Sequence, residues 1–276
     1  MKGTVIAPEL AQALRRLRLG QIIDALPGRL DLAACENMPI QDVLLMILTD
    51  EINRRDSTAL GRRVDLSGLE PDMVFERWDS QTRATYDRRV LAELRTLRFL
   101  AARRNIAILG PVGVGKTFVA CALGHLACRA EERVHFERAD DMLRRLRQSR
   151  FDNSRDRLML TLTTVDLLII DDFGIEAMGK DESRDIYQLI VERHGRFSTI
   201  ITSNRDTSEW LTVFDDTLLA QSAIDRFKNN AYDLVIEGES YRNRQKPCID
   251  DVAQVPSVEM LAPRAIRRRT PSKRSR

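Results

Sequence analysis

The sequence predicts an α/β fold: a parallel sheet covered by helices, preceded by a small all-helical N-terminal domain. Three observations carry that expectation. From Asn105 onward, short apolar runs alternate with amphipathic helical runs, the pattern of parallel strands joined by crossover helices. A glycine-rich string, "GPVGVGKT" at residues 110–117, directly follows the first of those runs. A later run, "VDLLIIDDFG", ends in two carboxylates. With 276 residues, 43% of them apolar, the chain can bury one large α/β core and a smaller unit beside it.

The elements follow in order along the chain. Leu10, Leu14 and Leu17 fall at helical spacing, with Arg15, Arg16 and Arg18 on other faces. The Pro- and Gly-punctuated "LPGRLDLAACENMP" reads as a loop holding at most a short helix. "IQDVLLMILTDEINRR" restores the helical pattern through Val43, Leu44, Ile47 and Leu48, and "DLSGLEPD" breaks it. "SQTRATYDRRVLAELRTLRFLAARR" predicts one long Arg-rich helix leading into the core. Then come the strands "IAIL", "VHF", "VDLLII" and "STIITS", with helices from Lys116, around Met142 to Arg147 and around Ile186 to Val191 between them. The expected organisation is an N-terminal helical domain at 1–70, a linker helix at 71–104, the α/β domain at 105–250 and a basic, disordered tail at 251–276.

The formal net charge is +3. Seven Lys or Arg and no acid lie at 264–276, so residues 1–263 sum to −4 (+3 minus +7), and the basic character belongs to the tail. The four cysteines form no CxxC pair and the three histidines are scattered, which argues for reduced thiols and against a zinc site. No apolar segment suits a signal peptide or a membrane span, so no membrane partner and a cytoplasmic location are expected.

"GPVGVGKT" fits G-x-x-x-x-G-K-[ST] in the required context, after a strand and before a helix. Its glycines let backbone N–H groups wrap closely around phosphate, Lys116 neutralises β and γ oxygens, and Thr117 can hold Mg²⁺. Gly110, Pro111, Val112, Gly113, Val114, Gly115, Lys116, Thr117 and Phe118 are the expected nucleotide-binding residues. In "VDLLIIDDFG", Asp171 is placed to face the metal through water and Asp172 to polarise an attacking water. Standing alone, the two acids would read as the cap of a buried strand. "STIITSN" ends in Asn204, at the strand end that faces ligand in an open α/β sheet; a turn asparagine is the plainer reading. With no guanine-reading N-K-x-D string in the chain, ATP is the expected nucleotide.

Four separated segments, "LGPVGVGKTFVACALG", "DLLIIDDFGIEAM", "STIITSNRDTSEWLTVFDD" and "SAIDRFKNNAYDLVIEGESYR", together resemble the IstB family of insertion-sequence ATPases. That family is related to the helicase loader DnaC within the AAA+ superfamily. The resemblance runs from about Leu94 to Arg244, with looser likeness in "LRLGQIIDALPGRL" and "LLMILTDEINRRD". It implies an AAA+ P-loop ATPase core in which Arg226, in "DRF", is the finger offered to a neighbouring subunit's nucleotide. Arg242, in "GESYR", then matches the second sensor, which contacts nucleotide within its own subunit. It further implies a homo-oligomer joined through ATP interfaces, assembly on double-stranded DNA, remodelling of that DNA, and work with a cognate transposase that carries out strand transfer. Asp172 stands where many AAA+ proteins carry glutamate, which suits slow hydrolysis acting as a timer. Arg144, Arg145, Arg147 and Arg150 in "RRLRQSR" are candidate DNA contacts, or else a solvated helix face. Two alternatives stay open: a DnaC-like helicase loader, and a nucleotide-gated DNA-binding scaffold with negligible hydrolysis.

Overall fold

A computed structural model describes residues 5–78, 84–238 and 240. The described residues belong to one compact unit. Its front is helical: α1 (Pro8–Arg16), α2 (Ile22–Cys35) and α3 (Ile40–Ser67), the last closed by Gly68 in the left-handed conformation. A short 3-10 turn (Phe75–Arg77) precedes β1 (Thr85–Tyr86), α4 (Arg88–Arg95) and α5 (Arg98–Ala101). The core then runs β2 (Asn105–Leu109), α6 (Lys116–Arg129), β3 (Val134–Arg138), α7 (Ala139–Ser149), α8 (Arg155–Thr164), β4 (Leu167–Asp171), α9 (Lys180–Arg193), β5 (Ser198–Ser203), α10 (Thr217–Lys228) and β6 (Ala231–Glu237).

The sheet has the order β1-β6-β2-β5-β4-β3, parallel throughout except that β1 runs antiparallel to β6. β2, β4 and β5 are buried at every position, as expected of strands covered on both faces. Alternate residues serve opposite layers. Ile106, Ile108, Leu167, Ile169 and Ile200 pack with α4 and α6, while Ala107, Leu109, Leu168, Ile170 and Ile201 pack with α7 to α10. Because β2, β5 and β4 are parallel neighbours in the middle of the sheet, the phosphate loop, the polar strand end and the acid pair all lie at the C-terminal ends of these strands.

Two local expectations are corrected. The stretch expected to be a loop is α2, with Pro27 inside the helix. Pro27 forfeits one backbone bond, but burial of Ile22, Leu26 and Ala33 on one face holds the helix. The long linker helix is instead β1, α4 and α5. Asp87 caps α4 by accepting from Arg89 N and Val90 N, and Leu97, at φ 59°, separates α4 from α5. The start of that stretch and the basic tail lie outside the described residues.

α3 packs against the core. Arg63 Nε donates to Cys128 O at 3.0 Å, and Leu69, just past the helix, belongs to the α6 layer of the core. Burial pushes the Cys121 thiol up to about 12 and raises that of Cys128, in keeping with inert, reduced thiols. Among the described residues, no helix is long and apolar enough to cross a membrane.

Candidate nucleotide site

β2 ends at Leu109 and the chain turns through residues 110–115 into α6, so the first N–H groups of α6 and the loop face the same opening. Gly113, at φ 83°, adopts a backbone that side chains resist, and a Cβ there would sit 2.1 Å from Ser240 Oγ. Only glycine fits.

Lys116 is 5% exposed, and its ammonium donates to Pro111 O at 2.7 Å and to Asn204 Oδ1 at 2.5 Å. Adjacency of β2 and β5 makes the second bond possible, since Asn204 immediately follows β5. The phosphate-loop lysine and the polar strand end, 88 residues apart in sequence, are thus brought together.

On the other side of Lys116, Thr117 Oγ1 donates to Asp171 Oδ1 and Oδ2 at 2.9 and 3.0 Å. Asp171 is 3% exposed and also accepts from Thr202 Oγ1 at 2.6 Å. Burial raises its pKa; the two threonine hydroxyls oppose that shift and the Asp172 charge adds to it. A hydroxyl and a buried carboxylate side by side, both hard oxygen donors, fit Mg²⁺. A cation there would also offset the burial of the Asp171 charge.

Asp172 has φ 56°, outside the strand, and its N–H donates to Thr202 Oγ1 at 2.9 Å. Thr202 therefore fixes both acids through one hydroxyl. The Asp172 carboxylate pairs with Arg138 at 3.0 Å, across the β3–β4 edge. Sequence reasoning missed Thr202 and Arg138. Thr202 had a faint signal, a hydroxyl at a buried place in an apolar strand; Arg138 had none, because its contact depends on strand order.

Arg226, on α10, turns back on its own helix: Nη1 donates to Ser222 O at 2.9 Å and also bonds Ser222 Oγ. Both of these partners lie one turn earlier on α10 itself. Arg242 lies outside the described residues. The α7 arginines are each paired: Arg144 with Asp141, Arg145 with Glu137, Arg147 with Glu182 and Arg150 with Asp185. These carboxylates largely balance their positive charge locally, while the guanidinium groups stay partly exposed.

Comparison with known proteins identifies the family. The sequence pattern of the IstB-like ATP binding protein family matches residues 12–248. An insertion-sequence ATP-binding protein of Mycobacterium tuberculosis is 34% identical over 246 residues, covering 88% of this chain and 98% of that protein. The ATP-binding protein of insertion sequence IS21 from Pseudomonas aeruginosa is 32% identical over 238 residues, covering 86% and 90%. Among solved structures, DnaI matches with a TM-score of 0.52 at 19% identity, over 62% of this chain and 95% of that one. Domain III of Thermotoga maritima DnaA matches with a TM-score of 0.50 at 21% identity, over 63% and 69%. These two structural likenesses speak to the fold alone, a mostly parallel sheet covered by helices.

Proposed function

Because the chain belongs to the IstB-like ATP-binding protein family, we propose that this insertion-sequence ATPase is an ATP-dependent regulator of transposition. It oligomerises on double-stranded DNA with ATP, remodels the DNA and recruits a separate transposase, and slow hydrolysis resets the complex. The observation that carries this reading is the convergence of Lys116, Asn204, Thr117, Asp171 and Asp172 at the C-terminal ends of the central strands.

The residues take the following roles. Loop N–H groups and the α6 N-terminus receive the phosphates, and Lys116 exchanges Pro111 O and Asn204 for phosphate oxygens. Asn204, released from Lys116, orients the attacking water. Thr117 and Asp171 would hold Mg²⁺, which supplies charge neutralisation at the phosphates. Asp172 accepts the proton of the attacking water, and to do so its carboxylate must leave Arg138. Arg226 completes the site of the next subunit, and Arg242, which lies outside the described residues, is assigned to the site of its own subunit. A finger of this kind is worth ~10³ to 10⁵ in rate, so an isolated subunit turns over poorly.

We assign partner binding to residues 1–70. Ile40, Leu44, Leu48 and Ile52 form an exposed apolar row four residues apart on α3, a surface suited to a protein partner. Sequence-independent contact with DNA phosphates falls to basic groups, among them the tail at 264–276.

Sedimentation with a long duplex tests the proposal. Large DNA-bound assemblies in ATP and Mg²⁺, absent in ADP, are expected; nucleotide-independent monomers on DNA would overturn it. Recovery of a replicative helicase in place of a transposase would favour the loader reading.

A further inference from the structure

Trp78 stands ahead of β1 and leans on the phosphate loop. Its Cη2 and Cζ3 atoms approach Gly115 so closely that a Cβ there would lie 3.1 Å from each. The indole centroid is 5.2 Å from that of Phe118, the residue after Thr117, and 6.2 Å from that of Tyr86. Its Nε1–H is the one buried side-chain polar atom among the described residues with no hydrogen-bond partner. Trp210, the second tryptophan, instead donates to Ser203 Oγ at 3.2 Å. A buried indole N–H ordinarily finds an acceptor, because desolvation without a bond is unfavourable. An orphaned donor touching a nucleotide loop therefore calls for a ligand.

We infer that Trp78 recognises the base of the bound nucleotide, donating Nε1–H to a purine ring nitrogen while the base packs among Trp78, Tyr86 and Phe118. The phosphate end already has its partners in the loop N–H groups and Lys116. The nucleoside has to leave the loop along a neighbouring surface, and Trp78 with Phe118 is an aromatic surface in contact with it. An uncharged aromatic surround suits a flat heterocycle with neutral acceptors and disfavours an anion. Trp78 as a whole is only half-buried, and its N–H has no bond to break, so turning the indole toward a ligand costs packing alone. The inference deepens the ATP-binding reading and rests on it.

Selective ¹⁵N-tryptophan labelling gives two indole N–H cross-peaks, one for each tryptophan, and Trp78→Phe identifies the one that disappears. Saturating ADP with Mg²⁺ should move the Trp78 peak downfield, whereas pyrophosphate should leave it in place; Trp210, already bonded, is the internal reference. By calorimetry, Trp78→Phe should weaken ADP binding by about 5- to 30-fold and leave pyrophosphate binding unchanged. An unmoved Trp78 peak, or wild-type ADP affinity in the variant, overturns the inference while the phosphate site stands. Failure of the wild-type protein to bind ADP overturns both. Should Trp78→Phe fold poorly, the wild-type titration decides alone: movement of one indole peak with ADP and not with pyrophosphate supports the inference, and two unmoved peaks refute it.

Discussion

Replacing Asp171 with asparagine should make the nucleotide-free protein more stable while disabling it. Asp171 is 3% exposed, and burial raises its pKa from the ordinary value of 3.8. The sign follows from linkage. A carboxyl whose folded pKa lies above its unfolded one favours the folded state below the unfolded value, and that contribution is lost as pH rises through the folded value. At neutral pH the ionised group is a net cost. Asparagine removes the charge and keeps the shape: Oδ1 can still accept from Thr202, and the amide in place of Oδ2 can donate to Thr117, whose hydroxyl serves either role. A gain of ~0.5–2 kcal/mol is expected, or about 1–8 °C in a chain of this size. Calorimetric melting of wild type and Asp171→Asn, each with and without ATP and Mg²⁺, reads the effect. The wild type should gain stability from the ligand and the variant should gain less. A nucleotide-free Asp171→Asn that melts several degrees below wild type would refute the electrostatic reasoning.

Other perturbations follow from the same contacts. Arg138→Ala removes a partner of Asp172 that is 56% exposed; exposed pairs are weak, so DNA-independent turnover should rise only about 2- to 5-fold, and a fall in steady-state rate would mean that Arg138 assists the chemistry. Thr202→Val deprives both Asp171 and Asp172 N–H of their shared hydroxyl; urea unfolding should show a loss of ~1–3 kcal/mol together with slower turnover, and Thr202→Ser should restore both. Gly113→Ala meets both a left-handed backbone and Ser240, so a fluorescent ATP analogue should bind far more weakly to a protein that still folds.

The strands and their order of function were legible because each carries a local signal. An apolar run ends in glycines, in two acids or in Ser-Asn, and the three ends need only be neighbours to make a site. Contacts set by strand adjacency were not legible. Nothing near Arg138 in the sequence points to Asp172, 34 residues away, and nothing around Trp78 announces Gly115. Periodicity also misled where caps and burial outweighed it. Pro27 suggested a break that apolar packing overrides, Asp87 and Leu97 divide what looked like one helix, and the arginine run on α7 looked bare until its carboxylate partners appeared on α7, α9 and β3.

The central claim is that the ATPase site is shared between subunits, with Lys116 and Arg226 serving one nucleotide from two chains. Mixing Lys116→Ala with Arg226→Ala on a long duplex tests it most directly. Each variant alone should be nearly inactive, and the mixture should recover ATP turnover, because intact loops then meet intact fingers. If the mixture stays as inactive as its parts, or if Arg226→Ala alone hydrolyses ATP like wild type, the shared site is contradicted.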